Sequence, residues 1–343
     1  MPELPEVTTT VKGINKECTG YTITDVWTDF AVQSPSRIDF YETIKYLPYF
    51  KKFKKKIIGQ QITGAERRGK NILINLSDGK TIILVHMKMT GHMMVGQYDY
   101  NKKSNSWHVH KDETNQALHD PYNRFVHVVF KLTPLITKSE TPQHREDGRA
   151  LDFIFNTKHL VLCDSRKFAK VTLLENEDNH KKHLGGHGPE PVNLNGTYEI
   201  NFTDFENALD TAPANNRPIK SFIMDTRTIA GVGNIYSDEM LFLASVHPKS
   251  VWSKIPTNVR KLMHKSMLQV LKKGIDFGGD SMSDYRNIYG QRGEFQNKHN
   301  VYQKRGEKCT FGKGSNTCTG TIHREFIGGR SAHFCPVHQK LYK

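Results

Sequence analysis

The chain has 343 residues, 36% of them hydrophobic, and a mean hydropathy of −0.60, which is length for two domains and the profile of a soluble protein. No apolar run approaches the ~18 residues of a membrane span, and the polar start Pro2–Thr10 is no signal peptide, so the chain is expected to be intracellular. A net charge of +14 and a pI of about 9.4 predict a polyanionic partner, such as DNA, RNA, a ribosome or an anionic membrane surface, without choosing among them.

The chain opens Met1-Pro2-Glu3. Loss of Met1 before a proline is expected to leave Pro2 as a secondary amine beside a carboxylate. An α-amino group titrates at roughly 7.7–8.0, so part of it is an unprotonated nucleophile near neutral pH. Such an amine can attack a sugar C1′ and form an iminium, with Glu3 within reach to move protons. The same residues also open many proteins without any such role. Leu4, Val7, Val11 and Ile14 fall at helical spacing, predicting a helix with Pro2 at its positive end, which lowers an amine pKa and attracts phosphate.

Short apolar runs between turn residues then read as strands up to the basic run Lys51–Lys56, itself a solvated face, a phosphate contact or a nuclear-import signal. Asn71–Leu76 and Thr81–His86 alternate around Ser77-Asp78-Gly79-Lys80 and predict a hairpin, with Lys70 just before it. Tyr98–Asn123 and Thr133–Arg149 are polar and aperiodic and read as surface insertions around a strand at Phe125–Leu132. Leu151–Phe155 and His159–Cys163 read as a strand pair leading into Asp164–Phe168. The breakers of Gly185–Pro191 mark the end of a β-rich first domain, 1–191. Helical periodicity at Asp204–Leu209, Ile219–Asp225, Tyr236–Ala244 and Val259–Gly274 predicts a helical domain over 192–300, followed by a cysteine-rich tail over 301–343.

Two stretches carry chemistry beyond the N-terminus. Gly231-Val232-Gly233-Asn234 sits between helical segments; it suits a backbone approaching a phosphate, and equally a tight turn with Asn234 as N-cap. Cys309, Cys318, Cys335 and His338 offer three thiolates and an imidazole, a closed tetrahedral set for structural zinc. Thr321–Phe334 between them has the texture of a hairpin turning at Gly328-Gly329, from which Arg330 projects. Cys18 and Cys163 are isolated and read as buried thiols of a reducing compartment.

Taken in order, Pro2–Val7, Arg68-Gly69-Lys70, His86–Gly91, Asp164–Phe168, Gly188–Pro191, Gly231–Tyr236 and the zinc segment resemble the formamidopyrimidine-DNA glycosylase/endonuclease VIII family. The resemblance covers most of the chain outside about 93–149. It implies an α+β fold: an N-terminal β-sandwich-like domain with an N-terminal helix, then a helix–two-turn–helix (H2TH) domain ending in a zinc-finger β-hairpin. It further implies that Pro2 is the nucleophile, Glu3 the general acid/base and Lys70 a contact to the phosphate beside the lesion. Met89, Arg166 and Phe168 would fill the void left by an everted nucleotide. Gly231, Gly233 and Asn234 would grip the backbone with Lys220, and Arg330 would hold the flipped nucleotide's phosphate.

The activity so implied is a bifunctional DNA glycosylase and abasic-site lyase of base excision repair, acting by a Schiff base and β/δ-elimination. Its partner would be damaged DNA, duplex or single-stranded, met by a monomer in the nucleus or wherever DNA replicates. Zinc is the cofactor expected, with no organic cofactor. Oxidised pyrimidines and hydantoins are the favoured lesions, with formamidopyrimidines and 8-oxoguanine as further candidates, in keeping with a divergent endonuclease VIII-like member. A non-catalytic damaged-DNA-binding protein on the same scaffold is the alternative, and an RNA- or ribosome-binding zinc protein a more distant one. The sequence departs from the family pattern in three ways: eight residues separate the first two cysteines, His338 replaces the last one, and Ala169 follows Phe168 where glycine is usual. A base-recognition loop is expected within Gly278–Phe295.

Overall fold

In the computed structural model, which describes residues 1–134, 157–213, 216–312 and 314–343, two sheets of four strands face each other behind an N-terminal helix. That helix, α1 (Leu4–Cys18), leads into β1 (Tyr21–Thr28). The next segment differs from expectation. Residues 29–46 form an irregular strap, and the basic run lies on a helix, α2 (Leu47–Ile57), where only Phe53 and Ile57, one turn apart, are buried. Short apolar runs do not separate strand from helix by period alone.

The strands β2 (Ile62–Arg68), β3 (Asn71–Leu76) and β4 (Ile82–His86) follow, with the expected hairpin between β3 and β4. Asp78 closes its turn by accepting from the amides of Lys80 and Thr81. After β5 (His92–Gly96), a small hairpin of β6 (Tyr98–Asn101) and β7 (Ser106–Val109) opens the first insertion. Then come β8 (Val126–Pro134), β9 (Lys158–Cys163), β10 (Lys170–Leu174) and a helix absent from the sequence reading, α3 (Glu177–Leu184), capped by Asn176. The strand expected at Leu151–Phe155 and most of the second insertion lie outside the described residues.

Strand order is β1-β8-β9-β5 in one sheet and β10-β4-β3-β2 in the other, with every neighbouring pair antiparallel. Alternate residues such as Val128, Phe130 and Leu132 of β8 meet Ile72, Ile74 and Leu76 of β3 in the core between the sheets. The opposite face of the first sheet (Met94, Val129, Val161) is covered by Tyr98, Leu118 and Trp107 from the insertion. The insertion is therefore a lid on an apolar sheet face, which a fully solvated loop could not provide.

The second half is helical: α4 (Phe202–Thr211), α5 (Ile219–Ile223), α6 (Asn234–Leu243) and α7 (Thr257–Asp276). It ends in the hairpin of β11 (His323–Ile327) and β12 (Arg330–Phe334), turned by Gly328 and Gly329 at φ 57° and 74°. The two cores interlock. Leu4 of α1 is buried in the helical core, and Ile288 crosses back to lie in the core between the sheets. No helix among the described residues is long and apolar enough to cross a membrane.

Candidate active site and nucleic-acid interface

The N-terminal segment is seated by both halves of the molecule. Pro2 is buried, and the first turn of α1 is closed by Glu6, whose Oε2 accepts from the Glu3 amide at 2.7 Å. The Leu4 amide donates to the Gly231 carbonyl at 3.1 Å. One oxygen of Glu3 accepts from the Ile235 amide, at the positive end of α6, at 3.1 Å. The other, Oε2, is buried with no hydrogen-bond partner among the described residues.

Gly231 and Gly233 make that seat possible, in a way the sequence did not indicate. A Cβ on Gly233 would stand 2.2 Å from Glu3 Cδ, and one on Gly231, at φ 87°, would stand 2.8 Å from the Leu4 side chain. Both glycines were expected to admit a DNA backbone; in the structure each admits a close approach by the protein's own N-terminal residues.

Beneath Glu3, Glu6 is fully enclosed. Its Oε1 accepts from the Tyr236 hydroxyl at 2.6 Å and the Asp280 amide at 2.7 Å, while the Tyr285 hydroxyl donates to its backbone carbonyl at 3.0 Å. Burial, reinforced by the Glu3 charge, pushes the Glu6 carboxyl up to about 7. Asp280 and Tyr285 come from the loop expected to read the base. Much of that loop is packed against the first domain: Arg286 pairs with Asp120 of the insertion, and Met282, Ser283, Gln291, Arg292 and Glu294 are the residues exposed at the surface. Sequence spacing carried no signal for these long-range partners.

Lys70 stands at the turn between β2 and β3. Glu190, from the breaker-rich linker, grips that turn by bonding the Arg67 and Arg68 guanidiniums and the Gly69 amide. Burial lowers the Lys70 pKa; Glu3 and Glu6 oppose that shift and Arg330 adds to it, so all three lie within electrostatic reach of its ammonium. The linker read as a domain boundary thus also positions a site residue.

Met89 and Phe168 share the wall of one cleft. Phe168 is 47% exposed, with the Arg166 guanidinium 4.5 Å from its ring centroid. The fully buried Asp164 ties their turns together. It accepts from the Arg166 amide at 3.3 Å, the Ala169 amide at 2.7 Å and the Thr90 hydroxyl. Ala169 is buried in the core between the sheets, so its methyl group fills space that glycine would leave empty.

On the helical side, Asn234 opens α6 with its side-chain nitrogen 3.3 Å from Ser331 Oγ and its Oδ1 unpartnered. It does not cap the helix, so the N-cap alternative is set aside. Arg330 is exposed at the hairpin, whose turn lies so close to Ser221 that a Cβ on Gly328 would meet its hydroxyl at 2.0 Å. Lys220 needs correction as a surface contact. It is wholly buried and donates to Asp238, to Ser237 Oγ at 3.2 Å and to the Asn234 carbonyl at 3.2 Å. Asp238 in turn accepts from the His333 amide and ring, so Lys220 braces α5, α6 and β12 from inside.

The sulfurs of Cys309, Cys318 and Cys335 lie within 4.8 Å of one another and could hold a metal ion. Cys318 and Cys335 are 3.7 Å apart, close to the ~3.8 Å edge of a tetrahedral zinc–thiolate site with bonds of about 2.3 Å. Backbone amides of Gly320 and His338 point at two of the sulfurs, as donors to thiolates do. The His338 imidazole is outside this cluster; it stacks on Phe311, and its Nε2 is 2.7 Å from the Phe242 carbonyl.

Residues 1–171 match the formamidopyrimidine-DNA glycosylase N-terminal domain, and residues 188–286 the formamidopyrimidine-DNA glycosylase H2TH domain. The chain is 31% identical over 344 residues to a protein named formamidopyrimidine-DNA glycosylase from Chloroflexus aurantiacus, spanning 99% of this chain and 98% of that one. It is 30% identical over 347 residues to the protein of the same name from Rhodopseudomonas palustris, spanning 99% and 100%. Among solved structures, Lactococcus lactis Fpg with DNA containing an abasic site superposes with a TM-score of 0.71 at 26% identity, over 98% of this chain and 99% of that one. Wild-type Lactococcus lactis Fpg with DNA containing N7-benzyl-Fapy-dG gives the same score and identity over 99% and 100%.

Proposed function

Because the chain belongs to the formamidopyrimidine-DNA glycosylase family, we propose that it is a base-excision-repair enzyme that removes oxidised bases from DNA through Pro2 and then breaks the abasic strand. The observation that carries this is the seat of Glu3, a carboxylate with one oxygen on the start of α6 and the other buried and unpartnered next to Pro2.

Release of Met1 turns the Pro2 nitrogen from an amide into a secondary amine. That nitrogen attacks C1′ as the C1′–N bond to the base breaks, and the base leaves with a proton. Glu3 delivers a proton to the sugar ring oxygen as the ring opens to an iminium. The iminium acidifies the C2′ proton; its loss expels the 3′ phosphate, and water then releases the protein. A further elimination at the 5′ side would remove the sugar. Lys70 and Arg330 hold phosphates beside the everted nucleotide, and Met89, Arg166 and Phe168 occupy the gap it leaves, offsetting part of the cost of extrusion. Lys220 supports the Asn234 grip from below.

The relatives' names and the Fapy-dG in a neighbouring structure weigh formamidopyrimidines more heavily than the sequence alone did, beside oxidised pyrimidines and hydantoins. Cys309, Cys318 and Cys335 suit structural zinc. The fourth ligand proposed, His338, lies outside the sulfur cluster with Nε2 on the Phe242 carbonyl, so its imidazole would have to turn to complete the set. The metal would fix the hairpin carrying Arg330 and take no part in bond breaking. Glu3→Gln is expected to abolish base release while leaving duplex affinity within a factor of a few; normal cleavage by this variant contradicts the mechanism.

A further inference from the structure

Beside Met89 and Phe168 lies a cleft of 250 Å³ whose charge the catalytic account does not use. Arg37, Lys45, Lys88 and Lys170 line it, with Asp39 the single carboxylate among its lining residues. Asp39 is already forked by Arg37, at 2.9 and 3.0 Å. The other nearby carboxylates are occupied as well: Glu42 by Lys182, and Asp164 by Thr90 and backbone amides. The ammonium groups are meanwhile partly removed from water. Burial pushes Lys45 down to about 8 and lowers Lys88 and Lys170; Asp164 opposes the first shift, Asp39 the second, and Asp39 with Glu42 the third, while neighbouring cations add to each. Arg37 and Asp39 neutralise each other inside the cleft, which leaves Lys45, Lys88 and Lys170 as like charges gathered in a half-buried site that stand to gain from a bound anion.

Sheet order says which anion. Along one end of the second sheet, the β2–β3 turn carries Lys70, the end of β4 carries Lys88 and Met89, and the start of β10 carries Lys170. The strap bearing Arg37 and Lys45 comes last, bonded to β10 through the Ile44 amide and the Val171 carbonyl. With strands about 4.8 Å apart, the cleft, which has Met89 and Phe168 in its wall, lies roughly 10–15 Å along the sheet end from Lys70. That is the scale of a duplex groove.

We propose that this cleft seats a backbone phosphate of the strand opposite the lesion, so that the wedge enters a duplex held on both sides. Lys45 supports the seat from behind: it is 6% exposed, lies over the Phe30 and Phe40 rings and donates to the Lys167 carbonyl at 2.7 Å. Lys88 and Lys170 supply the contact, the Lys170 ammonium also standing 2.9 Å from His183 Nδ1, while Arg37 stays on Asp39. The inference rests on the reading above that Met89 and Phe168 enter DNA.

The test is the salt dependence of binding to DNA carrying an uncleavable abasic-site analogue, as duplex and as single strand. Lys88→Gln and Lys170→Gln are each expected to reduce the log–log salt slope on duplex by about 0.9 and leave the single-strand slope unchanged. Lys170→Arg should restore it. Neutral methylphosphonates scanned through the opposite strand should weaken the wild type at one or two positions and leave Lys88→Gln indifferent there. An unchanged duplex slope, or equal losses on duplex and single strand, overturns the proposal. Because binding alone is read, a chain unable to release bases would still give either result, and a failure of the glycosylase reading stays distinguishable.

Discussion

Gly233 shows how narrowly the Glu3 carboxylate is seated. A methyl group there would have to displace Glu3 from the start of α6, since its Cβ would lie 2.2 Å from Glu3 Cδ. Gly233→Ala is expected to cut base release by two orders of magnitude or more, the scale set by removing one proton-transfer group, ~10²–10⁴-fold, without loss of bound metal. Near-normal turnover would mean that Glu3 tolerates another position. Buried titratable groups set the response to pH. His92 and His159 are held down to about 4 by burial, so their contribution is intact above the ordinary imidazole value of 6.5 and is lost as pH falls toward 4. At pH 5 that is up to about 2 kcal/mol for each. Glu6 runs the other way: raised to about 7, it favours folding at low pH and that contribution is lost as pH rises through 7. The urea midpoint should therefore fall between pH 7.5 and 5, and fall further in Glu6→Gln, which lacks the compensating carboxyl; a smaller fall in that variant contradicts the assignment. Pro2, Glu3 and Lys70 could be singled out in the sequence because each sits in a short motif, and the structure sets Lys70 within electrostatic reach of Glu3. Glu190, Asp280 and the true neighbours of Gly231 and Gly233 were not, because their partners lie far along the chain. Lys220 misled for a related reason: nothing local distinguishes a buried, braced lysine from a surface one.

At the scale of elements, expectations succeeded where periodicity was long or turn chemistry strong. The β3–β4 hairpin, the helices of the second half and the Gly328-Gly329 hairpin all follow the sequence pattern. They failed at α2, whose few apolar residues could be read with either period, and at α3, where no residue is buried and the Asn176 cap is the main local signal. The first insertion was legible as extra chain; its service as a lid over Met94, Val129 and Val161 was not. The cysteine segment makes a prediction of its own. Removing zinc with a strong chelator should unseat Arg330 and weaken DNA binding while leaving the sandwich and α7 folded, as read by far-UV circular dichroism. His338→Ala should carry less than one zinc per chain by atomic emission, and a full equivalent would remove His338 from the ligand set.

For the molecule as a whole, the proposed catalytic and DNA-gripping residues are brought together by the crossing of two cores. Leu4 lies in the helical core one residue from Glu3, and Ile288 returns to the core between the sheets. Gly13 lies against Ile288 so closely that a Cβ there would sit 2.3 Å from its Cγ2. This arrangement holds the N-terminal segment against the start of α6 and the Glu190-clamped turn together, so domain closure and catalytic geometry are one feature. The net charge of +14 supplies sequence-independent affinity around that seat. The central claim is that Pro2 becomes the nucleophile. Borohydride trapping tests it most directly, on single- and double-stranded oligonucleotides carrying a formamidopyrimidine, 8-oxoguanine, thymine glycol, a hydantoin or an abasic site. A covalent adduct mapped by peptide mass spectrometry to residue 2, with Met1 absent, is expected, and its lesion dependence would name the substrate. Tight binding with no adduct on any lesion, or an adduct on a lysine, would contradict it.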